Sequence, residues 1–127
     1  MTGKIAAKNL EPLLDALPVE ISFIDAKETV QYFNKEGFRI FPRNKAVLGL
    51  KVQKCHPQKS LDKVQAILDG FKKGTLGKAE FWIDLKDRKI LIRYFPVRDK
   101  KGKFLGTLEA SQDITEIQKI SGEKRLL

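Results

Sequence analysis

Cysteine, histidine, methionine and tryptophan each occur once in this chain, and these scarcities remove whole classes of function. A single cysteine closes no internal disulfide, which fits a reducing, cytoplasmic setting. One histidine beside that cysteine (Cys55-His56) is too little for a closed zinc site, which takes about four nitrogen or sulfur ligands. No apolar run approaches the roughly 18–20 residues of a membrane span. The opening MTGKIAAKNLEPLL lacks a long apolar stretch ending in a small-residue cleavage site, so neither export nor membrane anchorage is expected. A Ser-His-Asp set, a Gly-rich phosphate loop and carboxylates paired at useful spacing are all missing, and the chain is read as a non-enzyme.

What remains is sized for one domain, with 127 residues of which 42% are hydrophobic. The formal net charge of +9 raises the question of nucleic acid. Its basic clusters, Lys72-Lys73, Lys86 to Lys89, Arg98 to Lys103 and Lys119 to Arg125, fall mostly at turns and alternate with Asp84, Asp87, Asp99 and Glu123. A nucleic-acid reader concentrates its charge on one helix or groove, often beside exposed aromatics. A solvated surface is the preferred reading, and nucleic-acid binding is disfavoured.

Residues 8–17 carry Leu10, Leu13, Leu14 and Leu17 at helical spacing, and Pro18 ends that helix. Ile21 to Ile24 and Val30 to Phe33 read as strands joined by a DAKE turn. Asn34 reads as the N-cap of a short helix with Phe38 and Phe41 on one side, stopped by Pro42. Residues 58–72 give a long amphipathic helix through Leu61, Val64, Ile67, Leu68 and Phe71. Three strands follow, KAEFWIDLK, ILIRYFPV and FLGTLEASQ, the middle one apolar on both faces. The expectation is an α+β domain, an antiparallel sheet with helices over one face.

Two stretches carry a resemblance. FIDAKETVQYFNKEG resembles the opening of a PAS domain, and FPVRDKKGKFLGTLEASQDIT resembles its close, with GLKVQKCHPQKSLDKV where that family enters its long helix. The Cys-His-Pro-x-Lys-Ser string and the Gln-Asp-Ile-Thr ending are most similar to PAS domains joined to hemerythrin-like regions in prokaryotic proteins. The resemblance implies a five-stranded antiparallel sheet that encloses a small-molecule pocket with its helices. It divides the chain into an N-terminal helix (1–18) acting as lid or dimer contact, a PAS sensor domain (19–115) and a C-terminal connector (116–127).

Carried onto this sequence, the resemblance makes Ile90, Ile92 and Tyr94, with Phe81 and Ile83, the pocket wall. Thr107, Glu109 and Ser111 join them from the last strand. Asp113 and Thr115 match the family's exit toward an output helix. His56 sits before a proline, so it is a helix-entry residue, a polar group at the pocket rim or a haem-iron ligand. The helical position that haem-binding relatives use, here Leu61 to Val64, has no histidine. The flavin-binding Asn-Cys-Arg-Phe-Leu string is absent too, so flavin is disfavoured and Cys55 is read as a buried structural thiol. Glu109 either points into an apolar cavity and needs a partner, such as His56, Tyr94 or a ligand, or it is solvated. Leu91, Phe95 and Val97 on the outer sheet face need cover, which the N-terminal helix supplies in this subunit or in a homodimer mate. The expected function is a ligand-sensing signalling module. The alternatives are an interaction domain with a self-filled core, or a haem sensor using His56.

Overall fold

The computed structural model describes residues 2–127. Helix α1 (Ala7–Asp15) leads into strands β1 (Glu20–Asp25) and β2 (Val30–Phe33). Short 3-10 turns at Lys45–Val47, Val52–Cys55 and Gln58–Ser60 then deliver the chain to helix α2 (Leu61–Lys73). Strands β3 (Ala79–Leu85), β4 (Arg88–Arg98) and β5 (Phe104–Asp113) complete one antiparallel sheet of five strands in the order β2-β1-β5-β4-β3. This is the α+β architecture expected from the sequence. The last strand, β5, lies in the middle.

The register explains which side chains share a face, because neighbours two apart along a strand point the same way. Several rows cross the inner face. Phe81, Ile92, Ser111 and Glu20 form one, and Ala79, Tyr94, Glu109, Ser22 and Phe33 form the next. Pro96, Thr107, Ile24 and Val30 form a third. Helix α2 lays its stripe on these rows: Val64 and Leu68 meet Ile24, Val30 and Val52, while Ile67 and Phe71 meet Tyr94. Phe71 is fully buried, and a side chain of that size contributes about 2–3 kcal/mol by leaving water. Gly74 ends the helix in the left-handed region (φ 77°).

Two backbone positions explain how the sheet closes so tightly. The β3–β4 hairpin turns on Lys86 and Asp87, both at positive φ (49° and 64°), the primed geometry that matches strand twist. A Cβ on Gly106 would lie 2.2 Å from the Ile24 carbonyl oxygen and 2.8 Å from the Phe23 ring, so β5 pairs with β1 only because that residue is glycine.

One expectation changes. Asn34 caps no helix, since residues 35–44 run as bends and turns and leave Phe38 87% exposed. Asn34 is instead buried, where its side chain accepts from the Ile21 N–H (2.6 Å) and donates to the Leu14 and Val19 carbonyls (2.8 and 3.1 Å). A side chain that satisfies three strand and helix-end groups at once has none left for capping. Helix α1 is fastened beside β2, through that bond to Leu14 and through Asp15, which accepts from the Lys35 N–H at 2.9 Å. Leu10 and Leu13 stay about half exposed in the single chain, and Trp82 on the outer sheet face is 67% exposed.

Candidate functional site

The site is assembled by the irregular segment that the sequence misassigned. Glu20 accepts from the N–H groups of Ile40 (2.6 Å) and Phe41 (3.0 Å). Arg39 lies 3.7 Å from Glu20 and donates to the carbonyls of Ile21 (3.1 Å), Asn34 (3.0 Å) and Phe41 (3.1 Å). Both side chains are almost wholly buried. A buried pair becomes tolerable when its remaining donors and acceptors are met, and here backbone groups of the loop meet them. The loop is thereby nailed to β1, and Phe41, Pro42 and Arg43 are delivered to the open side of the sheet.

From the other side, the Val52–Cys55 turn runs into His56, held extended (φ −121°, ψ 146°) by the proline that follows. Between these two arms and the sheet lies a half-open cavity of about 400 Å³, lined by Phe41, Pro42, Arg43, Cys55, His56, Pro57, Ile92, Tyr94 and Glu109. A second chamber of about 190 Å³ adjoins it, sharing His56, Ile92 and Tyr94 and adding Ser60, Lys63, Val64, Ile67 and Phe81. Its walls are mostly apolar, and Phe81 stands edge-on to Tyr94 with ring centres 6.2 Å apart.

The electrostatics of the larger chamber are incomplete. Glu109 is 7% exposed, and one of its oxygens lies 3.6 Å from Arg43, too far for a hydrogen bond. Its other oxygen, Oε2, is buried without a partner, as are Nε of Arg43 and Nε2 of His56. Each such orphan costs about 1–3 kcal/mol relative to a satisfied group. Burial, with the Arg43 charge adding and Glu109 opposing, holds the His56 imidazole below its ordinary pKa, so it is neutral at pH 7. Burial first, and then the Glu109 carboxylate, both by its charge and as the acceptor nearest the hydroxyl, push the Tyr94 phenol above its ordinary value, so it keeps its proton.

The expected site residues divide in two. His56, Ile92, Tyr94 and Glu109 meet in the larger chamber, and Phe81 lines the smaller. Ile90 is buried on the same face beyond the lining, and Ile83, 39% exposed, lies toward the β3–β4 turn. Thr107 is buried opposite Ile24 with its hydroxyl unpartnered. Ser111 is buried between Glu20 and Ile92 and borders a separate depression with Glu20 and Ile40. Of the two readings left open for Glu109, the solvated one is excluded by its burial. Its partner is Arg43, a residue that sequence reasoning missed. A lone arginine in a turn carries no periodic signal, and the only hint was a carboxylate in need of a cation. Cys55 is half-buried and packs against the Ile24–Val52 cluster as well as the cavity.

At the far end of β5, Asp113 accepts from the Thr115 N–H (3.0 Å) and from Arg88 (2.7 Å), while the Thr115 hydroxyl accepts from the Lys89 N–H (2.8 Å). The Arg88 hydrogen bond and then those of Thr115 hold the Asp113 carboxyl at about 2. The chain thus leaves the sheet through a fixed corner next to β4. Among the described residues, no group of three or more His, Cys, Asp or Glu is placed to hold a metal ion, and no helix is long and apolar enough to cross a membrane.

The fold has counterparts among solved structures. A C-terminal domain from Streptococcus mutans superposes with a TM-score of 0.88 at 29% identity, covering 95% of this chain and 94% of that one. The PAS domain of BvgS from Bordetella pertussis is similar at TM-score 0.64 and 18% identity, with 88% of each chain covered. A sensory box sensor histidine kinase from Vibrio cholerae matches at TM-score 0.59 and 16% identity over 84% of this chain and 89% of that one. No curated protein matches the sequence. The family model described as PAS domain matches residues 10–115, and the chain therefore belongs to the PAS domain family.

Proposed function

We propose that this chain is a non-catalytic, cytoplasmic sensor module that takes a small molecule into the cavity between sheet and helix and passes its bound state to flanking segments. One observation carries the reading. In a fold of this family, Arg43, His56 and Glu109 line one open space, and each carries a buried hydrogen-bonding atom without a partner. Native proteins satisfy nearly all such groups, and where several orphans border one cavity the missing partner is a ligand or water. A ligand that meets them biases Arg43 and His56, and through them the two arms that frame the site. Asp113 and Thr115, four and six residues beyond the cavity-lining Glu109 along the chain, are the proposed exit of the signal. The N-terminal helix and the outer sheet face, with Leu10, Leu13 and Trp82 uncovered, form the proposed homodimer contact. An output region, including one of hemerythrin-like type, would attach beyond residue 115.

The self-filled interaction domain is the weaker alternative, because about 400 Å³ remains unfilled. Haem fits poorly as well. The unpartnered His56 Nε2 is free to ligate iron, but an apolar macrocycle offers no donor to the Glu109 oxygen beside it and would bury that carboxylate further. Native mass spectrometry of the freshly purified chain, compared with its denatured mass, tests the reading. A non-covalent adduct lost on Tyr94→Ala supports it, and a bare mass together with no response to a small-molecule library removes it. A Soret band lost on His56→Ala would reinstate haem.

A further inference from the structure

The geometry points to a net-uncharged ligand that presents a hydrogen-bond donor beside an acceptor, as the edge of an amide or lactam does, on an apolar body. This rests on the cavity being a ligand site and names the class of molecule it takes.

The charge balance comes first. Arg43 and Glu109 face one another at 3.6 Å and cancel. His56 is neutral and Tyr94 keeps its proton, as argued above, so the larger chamber carries no net charge to match an anion or a cation. An anionic ligand would meet Glu109, and a cationic one Arg43, each inside a site with little water to screen it. Phosphates, simple carboxylates and amines are therefore disfavoured as ligands.

The leftover bonding capacity comes second. After the pair has neutralised itself, the buried remainder is an N–H of Arg43, a carboxylate oxygen of Glu109 and one imidazole nitrogen of His56. The ligand is asked for an acceptor toward Arg43 and a donor toward Glu109. A neutral amide edge supplies both without bringing further charges to desolvate. A zwitterion supplies them too, but must strip water from two full charges where the protein has already paired its own. The adjoining chamber, walled chiefly by Val64, Ile67, Phe81 and Ile92 with the exposed Lys63 at its edge in water, accommodates a ring or short aliphatic group as the apolar body.

Four simple probes that share a phenyl ring separate the cases: benzamide, benzoate, benzylammonium and the zwitterion phenylalanine. Each is titrated into the intact, isotopically labelled chain while the amide resonances of Ile92, Tyr94 and Glu109 are followed. Benzamide is expected to shift them at concentrations roughly tenfold below any other probe, the ratio one charge-assisted hydrogen bond represents. Glu109→Gln leaves Arg43 uncompensated and is expected to move the preference to benzoate, again by about tenfold. Arg43→Gln is expected to move it to benzylammonium. If the wild-type chain takes a charged or zwitterionic probe ahead of benzamide, the ligand class is wrong while the cavity reading stands. If none of the four perturbs those amides, both fall. A folded variant that keeps the wild-type ranking also overturns the proposal. Should one variant fail to fold, the other and the wild-type ranking still decide it.

Discussion

Two buried arginine–carboxylate pairs lie on the same side of this sheet and are built differently. Glu20 and Arg39 sit 3.7 Å apart, yet their remaining valences are filled by backbone groups at Ile21, Asn34, Ile40 and Phe41. Glu109 and Arg43, at 3.6 Å, share no hydrogen bond and retain an unpartnered oxygen and nitrogen beside an open space. The separations are nearly equal, so Coulomb attraction does not distinguish them. Satisfaction does. The first pair is part of the framework, since removing either member frees several backbone groups in the interior. The second is delivered by the loop that the first anchors, and both of its members line the cavity. Buried charge serves stability only when fully met, and a half-met pair is a place for something else to bind.

The comparison is broken most easily at Glu20. Glu20→Ala is expected to cost about 3–5 kcal/mol, because it strands the Arg39 charge and two loop N–H groups; urea unfolding measures it. A loss near zero would mean that the loop does not depend on this anchor. Replacing both members of the other pair, Arg43→Met with Glu109→Leu, should leave stability within about 1 kcal/mol of the parent or raise it. The same double variant should lose any ligand the parent retains, which native mass spectrometry reads out. A large destabilisation there would make the second pair structural as well.

Smaller effects sharpen the picture through pH. The His56 imidazole is held below its ordinary value, so the native state binds fewer protons at this group than the unfolded chain does. Its contribution is fully present above about pH 6.5 and declines as pH falls below that, until the native imidazole itself takes up a proton. His56→Gln should flatten that part of the stability profile. Asp113, held at about 2 by Arg88 and Thr115, acts lower. Its stabilisation is present above the ordinary carboxyl value of 3.8 and is lost as pH falls from there toward about 2. Because the pair is at the surface, that loss should be small and should shrink further in salt. Arg88→Gln followed by acid titration checks it.

Much of the fold was legible because it is written in short-range periodicity. The Leu61–Phe71 stripe and the two-sided apolar run of β4 each report their own element and where it buries apolar surface, and the alternation in β3 reports the strand. The family resemblance, carried along each strand by alternation, implied that Tyr94 and Glu109 share one face, and the register makes them cross-strand neighbours. Asn34 was misread because a polar residue before a turn looks alike whether it caps a helix ahead or satisfies strands behind. Its partners Leu14, Val19 and Ile21 lie 13–20 residues away. Arg43 was invisible for a related reason, since its partner is 66 positions further on, in β5.

By itself, then, the order of residues determined the secondary elements, the antiparallel α+β class and the likeness to one family, since these follow from spacings of two to four residues. Only the tertiary structure decided that a space remains between the loop arms and the sheet, that Arg43 faces Glu109, and that their bonds are left incomplete. Those are matters of which distant groups meet and which do not. No local pattern encodes a contact that fails to form.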